Sequence, residues 1–271
     1  MTNPPFHAVF PENKPIIGMI HVAALPGTPG YQGDRKKVIT TAIEEGYTYL
    51  KAGVDAILIE NMHDRPYLRR TVGPETTAFL AVIGYEFKRL LKLPCGVQIL
   101  AGANQEALGV ALAAGLDFIR AEGFVFSHIA DEGQLDADAG ALLRYRKQID
   151  GEDILIFTDI KKKHGAHAIT QDVSLADTAR TAEFFLSDGV VITGTMTGVP
   201  AQLEDLQTVQ EATSLPVLVG SGITLENVEH YLPLVDGLIV GSDFKEQGKW
   251  FNRVDYDRVA RFIDRVRELR C

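Results

Sequence analysis

The chain has 271 residues, 46% hydrophobic and 23% charged, with a formal net charge of −9 and an isoelectric point near 5.3. That length suits one barrel or two smaller domains, and that charge argues against nucleic acid or an anionic membrane as main partner. No apolar run reaches membrane-spanning length, Met1 to Phe6 lack the regions of a signal peptide, and Cys95 and Cys271 sit in no paired metal spacing, so a reduced, cytoplasmic setting is expected.

Residues 1–15 are proline-rich and read as an irregular lead-in. Ile16–His21 is the first predicted strand, followed by a long loop carrying Pro26-Gly27 and Pro29-Gly30. Val38–Ala52 has helical spacing and stops at Gly53, a C-cap residue. Ala56–Glu60 is the second strand, with a helix predicted from Glu75 to Leu91. Gly96–Leu100 and Leu116–Arg120 are the third and fourth strands, separated by a helix over Asn104–Ala114. After an acidic loop come a helix over Ala139–Gln148, the fifth strand Ile154–Thr158 and a helix opened by Ser174, with Asp177 three residues on. Val190–Thr193 is the sixth strand and Ala201–Ala212 the next helix. Val217–Val219 is the seventh strand, Thr224 opens a helix, Leu238–Val240 is the eighth strand, and Asp255–Leu269 is a last amphipathic helix.

Eight apolar runs alternating with helical segments, with no compositional break, give a single (β/α)8 TIM barrel over residues 1–271. Loop lengths agree. Turns into strands are short, as at Gly53-Val54-Asp55 and Ala114-Gly115, whereas loops leaving strands are long, as over 22–36, 61–74, 122–138, 160–173 and 242–254. Long loops on one rim mark an active-site face. A doubly wound open sheet accounts less well for eight units with the glycine-serine pair at the end.

The last two strands end abruptly in Gly220-Ser221-Gly222 and Gly241-Ser242. Glycine there lets the backbone approach a ligand, convergent N–H groups suit an anion, and serine adds a hydroxyl. Two such ends in succession resemble the phosphate site of a barrel, built from the loops after strands seven and eight; a single one would indicate only a tight turn.

Polar residues close the other strands. His21 closes the first, Glu60 and Asn61 the second, Thr158 and Asp159 the fifth, and Thr193 and Gly194 the sixth. Arg120 and Glu122 close the fourth, two apart and so on one side of it. Singly, each has a structural explanation: a core histidine, or an ion pair filling the barrel. As a set, polar ends on otherwise apolar strands are costly to bury without purpose. Glu60, Arg120, Asp159, His21 and His164 are therefore the catalytic candidates. Gly220, Ser221, Gly222, Gly241, Ser242, Lys163, Asn61, Thr193 and Gly194 are the substrate- and phosphate-binding ones.

The basic stretch Lys161-Lys162-Lys163-His164 with His167 beside a phosphate site reads as an anion clamp. The three-residue spacing of His164 and His167 can also hold an ion, but with no third ligand nearby no metal site and no cofactor is assigned. In the loop Phe124–Asp138, Asp136 and Asp138 read as solvated acids near a helix N-terminus. Lys245, Lys249 and Trp250 lie in the last loop, where they are placed either over a ligand or, for Trp250, beneath the final helix.

Taken along its whole length the chain resembles the BtpA/SgcQ family. The match is carried by Gly18-Met19-Ile20-His21 with Leu25-Pro26-Gly27 and Tyr31, by Glu60-Asn61, and by Phe118-Ile119-Arg120 with Leu142 to Arg146. It continues through Asp159 with Lys163-His164, Thr193-Gly194 with Thr197-Gly198, Gly220-Ser221-Gly222 with Thr224 and Glu226-Asn227, and Gly237 to Lys245. The resemblance implies a (β/α)8 barrel. For function it implies two different things: a cyanobacterial factor for photosystem I biogenesis or stability, and a bacterial nucleosidase-like protein linked to sugar-uptake genes. Relatives in non-photosynthetic organisms argue that the ancestral activity is not photosynthetic. The chain departs from the family pattern after the third strand, where Leu100-Ala101-Gly102-Ala103-Asn104 stands in place of Leu-Arg-Asn-Asp, and at Met62-His63.

The expected function is an enzyme acting on a phosphorylated small molecule, a sugar phosphate or nucleoside-like compound. Glu60 and Asp159 serve as acid and base and Arg120 as orienting or anion-stabilising group. Nucleosidase-type hydrolysis fits these carboxylates, as do isomerase and aldolase chemistry. The alternative is a non-catalytic factor for photosystem I. A homo-oligomer is expected from the prevalence of symmetric assemblies.

Overall fold

A computed structural model describes residues 6–162, 164–194 and 198–270. Eight parallel strands close into a barrel: β1 (Ile16–His21), β2 (Ala56–Glu60), β3 (Cys95–Gln98), β4 (Phe118–Ala121), β5 (Leu155–Asp159), β6 (Gly189–Ile192), β7 (Val217–Val219) and β8 (Gly237–Val240). Each pairs with its neighbours in sequence, and β8 closes on β1 with Ile16 opposite Leu238. Helices fill the outer ring: α1 (Arg35–Ala52), α2 (Pro74–Leu91), α3 (Asn104–Ala114), α4 (Ala139–Gln148), α5 (Leu175–Phe184), α6 (Leu203–Ala212), α7 (Val228–Tyr231) and α8 (Tyr256–Arg270). Among the described residues no helix is long and apolar enough to cross a membrane.

Local chemistry explains most boundaries. Asp34 accepts from the Lys37 N–H to start α1, and Gly53, at φ 88°, turns its end back toward β2. Ser174 starts α5 by accepting from Asp177 N at 3.0 Å. The helix expected from Thr224 begins only at Val228, because the Asn227 side chain accepts from Thr224 N at 2.8 Å and holds the preceding residues in a turn. It passes after one turn into a 3-10 segment containing Pro233.

Two cores result. One lies between the outward strand faces and the helices. The other fills the barrel with Ile17, Met19, Leu58, Phe118, Phe157, Val191, Leu218 and Ile239. Gly96 makes room for the Phe118 ring, which would lie 2.3 Å from a Cβ there. The lead-in is not irregular where it is described. Phe6–Val9 forms a helical turn, and Phe6 and Phe10 plug the floor of the barrel against Phe157 and Phe118, with ring centroids 5.9 and 5.4 Å apart. Burying two aromatic rings there outweighs the proline-rich composition.

The strands alternate, so two residues above each inward apolar side chain comes another inward position. Above Met19, Leu58, Gly96, Phe118 and Phe157 stand His21, Glu60, Gln98, Arg120 and Asp159, which form a polar top layer. The long loops after β4 and β5 add a small antiparallel sheet of His128–Ala130, Gly133–Leu135 and Gly165–Ala166.

Candidate functional site

The polar layer opens into a mouth cavity of about 320 Å³. Glu60, Gln98, Arg120, Glu122, Lys162 and His164 line its polar side, and Met62, Tyr67, Leu100 and Trp250 its apolar side. Arg120 sits at the centre. Its Nε and Nη2 donate to Asp159 Oδ1 and Oδ2 at 2.7 and 2.9 Å, and both side chains are almost wholly buried. Burial opposes the guanidinium charge, but Asp159, Glu60 and Glu122 together hold its pKa above the ordinary value. Gly220 makes room for this arrangement: a Cβ there would lie 2.9 Å from Arg120 Nη2 and 2.7 Å from Val191 Cγ1.

His21 has a fixed tautomer. Its Nδ1 lies 2.7 Å from the Trp250 carbonyl oxygen, which only accepts, so Nδ1 carries the hydrogen. Nε2 faces Glu60 Oε2 at 3.7 Å, within ion-pair range. On the other side, Glu122 accepts from Lys162 Nζ at 3.1 Å and from Gln98 Nε2 at 3.4 Å. Lys162 stays charged: burial lowers its pKa, but Glu122, Glu132 and Asp159 more than offset that.

Below the mouth a narrow throat is lined by His21, Glu60, Arg120, Gly220, Ser221, Gly241 and Ser242. It leads toward a cavity of about 240 Å³ at the ends of β7 and β8, lined by Gly222, Ile223, Thr224, Gly241, Ser242 and Asp243. Burial raises the Asp243 pKa, against the pull of Arg258, whose Nη2 lies 2.7 Å from Oδ1.

Most sequence-derived candidates thus line adjoining cavities that share Glu60 and Arg120 on one side and Gly241 and Ser242 on the other. Asp159 is present, but both of its oxygens are taken by Arg120, so it positions the arginine and is not poised as a base. Asn61 lies outside this lining: its amide donates to Asp64 and accepts from Leu100 N, latching the loop after β2. The Ser221 hydroxyl accepts from Gly194 N at 2.9 Å and ties the loops after β6 and β7 together. Thr193 is half-buried beside it. Lys163 and Thr197 lie outside the described residues.

Other expectations change. His164 lines the mouth while His167 packs on His128 with ring centroids 5.4 Å apart, so the two face different cavities. Asp138 is not solvated. It meets Arg70 at 2.7 Å and Asn104 at 3.0 Å, and burial pushes its pKa up to about 6. Lys245 is fully buried on Glu45 at 2.9 Å. Trp250 is not under α8 but over the mouth, with the Arg65 guanidinium 4.9 Å from its ring centroid.

His128 is buried, and burial, with Lys162, His167 and Arg70, pushes its pKa down to about 4. The unfolded chain therefore takes up this proton first as pH falls, and stability is lost between about pH 6.5 and pH 4. His63, also pushed down to about 4, acts in the same direction. Asp138, at about 6, opposes them, because its folded form holds a proton that the unfolded form has released. The His128 contribution is read as a difference. His128→Asn should flatten the pH dependence of unfolding free energy across this window by roughly 2 kcal/mol. Parallel curves for wild type and variant would contradict it.

The BtpA family matches residues 12–268. An uncharacterized mitochondrial protein of Caenorhabditis elegans is 46% identical over 96% of this chain and 95% of its own length. An uncharacterized Pyrococcus horikoshii protein is 35% identical over 96% of this chain and 98% of its own. The photosystem I biogenesis protein BtpA of Synechocystis is 32% identical over 96% of this chain and 90% of its own. Among solved structures, thiamine phosphate pyrophosphorylase from Pyrococcus furiosus aligns with a TM-score of 0.58 at 17% identity, over 94% of this chain and 96% of that one. The N-(5′-phosphoribosyl)anthranilate isomerase of the same organism aligns at 0.55 and 13%, over 93% and 98%. These likenesses show the fold.

Proposed function

The chain belongs to the BtpA family, and from that premise we propose that it is an enzyme performing acid–base chemistry on a phosphorylated small molecule, a sugar phosphate or nucleoside-like compound. The observation that carries the reading is the continuity of the polar top layer with the glycine-serine ends of β7 and β8: Glu60 and Arg120 line both the mouth and the throat that Gly220, Ser221, Gly241 and Ser242 also line. The phosphate sits at the last two loops, the location used in many barrels of this kind. Glu60 with His21 moves the proton, Arg120 stabilises developing negative charge, and Asp159 holds Arg120 in place. Barrels named for phosphorylated substrates are fold neighbours of this chain, which is compatible with the reading. Nucleosidase-type hydrolysis fits Glu60, which can protonate a leaving group or steady an oxocarbenium-like centre, as isomerase and aldolase chemistry also fit it.

A non-catalytic role in photosystem I biogenesis is suggested by the name of the Synechocystis relative. Relatives of equal or higher identity come from a nematode and an archaeon that have no photosystem, and an adaptor needs no buried acid–base layer.

Thermal unfolding with inorganic phosphate and a panel of sugar phosphates and nucleotides tests the reading. A bound compound at about one hundred times its dissociation constant stabilises the fold by about 2.7 kcal/mol. Ser242→Asp, which puts a carboxylate into the throat, should abolish the shift without lowering the ligand-free midpoint. The absence of a shift with every phosphorylated compound would refute the proposal.

A further inference from the structure

The mouth holds hydrogen-bond acceptors that the described residues do not answer. Gln98 is 2% exposed, and its Oε1 is buried without a partner. Its orientation is set by its neighbours: Nε2 donates to Glu122, which Lys162 also holds, and turning the amide over would set its oxygen against the Glu122 carboxylate. Glu132 Oε2 is likewise buried without a partner among the described residues. Asp131 and Glu132 form the turn between His128–Ala130 and Gly133–Leu135, and both overhang the same cavity. A buried acceptor without a donor is unfavourable, and the deficit is met when a ligand brings the donor.

The carboxylates of the mouth, Glu60, Glu122, Asp131 and Glu132, suit a positive group on the side where Asp131 and Glu132 overhang it. Lys162 is held above its ordinary pKa in spite of burial. The Tyr67 hydroxyl is pushed well up, first by burial and then by carboxylates that include Glu60, Glu132 and Glu122. Trp250 already carries a cation, Arg65, over its face. Arg65, Arg120 and Lys162 line the same space, but Arg120 is held by Asp159 and Lys162 by Glu122, so an anion on the Asp131 and Glu132 side would face their carboxylates. A hydroxyl has one hydrogen to donate and no charge, whereas an ammonium has three donors and matches both acceptors and the carboxylate.

We propose that the mouth cavity binds an ammonium group, so that the substrate class is a phosphorylated amine whose nitrogen donates to Gln98 Oε1 and Glu132 Oε2. The inference rests on the phosphate reading above for the other end of the molecule, which the throat lined by Glu60, Met62 and Arg120 joins to the mouth.

Apparent affinities from thermal unfolding test it with four probes: glucosamine 6-phosphate, glucose 6-phosphate, glucosamine and inorganic phosphate. The amino ester should bind roughly tenfold tighter than its hydroxyl counterpart, the effect of one charge-assisted hydrogen bond. Glu132→Gln, at a half-buried position, and Gln98→Leu should erase that preference while leaving inorganic phosphate unaffected; the first variant carries the test if the second does not fold. Equal binding of the two esters, with phosphate binding intact, overturns the amine site alone. Glucosamine binding that depends on Glu132, with neither inorganic phosphate nor glucose 6-phosphate bound, keeps the amine site and removes the phosphate reading. No shift with any probe overturns both.

Discussion

Asp159→Ala is expected to lower the unfolding free energy by about 3–5 kcal/mol, the range for removing one partner of a buried ion pair. Arg120 is 3% exposed, and two of its N–H groups go to Asp159. Without the carboxylate the guanidinium stays inside the barrel with Glu60 and Glu122 as its remaining charged neighbours. Arg120→Met should cost a comparable amount because it strands the carboxylate. The double variant Arg120→Met with Asp159→Leu should recover much of the loss, since an apolar pair of similar volume is often as stable as the ions it replaces. Urea unfolding of wild type, Arg120→Met, Asp159→Leu and the double variant supplies the coupling energy. A cost below about 1 kcal/mol for each single change would mean that the pair is solvated and does not anchor the site.

Glu60→Gln should leave the fold nearly unchanged and reduce turnover of a phosphorylated substrate by roughly 10²- to 10⁴-fold, the usual contribution of a positioned acid or base. The amide keeps the volume of the side chain beside His21 Nε2 but cannot exchange a proton with it. His21→Asn should have a similar effect, and the double variant little more than either alone, because the two act as one unit. Turnover within threefold of wild type in Glu60→Gln would remove Glu60 from the chemistry and shift attention to Glu122 on the opposite wall.

Strand chemistry was legible because a parallel barrel demands apolar runs with polar ends. The predicted bounds of β1, β2 and β7 coincide with the observed ones, whereas β3 and β4 begin one residue earlier and two later than expected. The pairing register decides this, and no local residue signals it. The small sheet over the mouth was not visible, since segments of two or three residues carry no periodicity. Gln98 stood in plain view as the one polar residue of an apolar strand, with Glu122 two residues beyond Arg120. Lys162 was hidden in a run of three lysines, of which Lys161 instead donates to the Val173 and Thr170 carbonyls. Lys245 and Trp250 lie five residues apart in one loop yet end up respectively in the helix-facing core and at the mouth. The loop's path fixes that division, through the pairing of Lys245 with Val254.

The aromatic floor also affects how the chain is made. Phe6 and Phe10 leave the ribosome well before the rings they rest on, Phe118 and Phe157, which are synthesised more than a hundred residues later. During that interval two phenylalanines have no native surface to cover them, so this nascent segment is a natural client for chaperones and a place where newly made chains adhere to one another. The floor closes only when the first half of the barrel and its fifth strand have come together, which makes docking of the Phe6 and Phe10 segment a late, long-range step in folding.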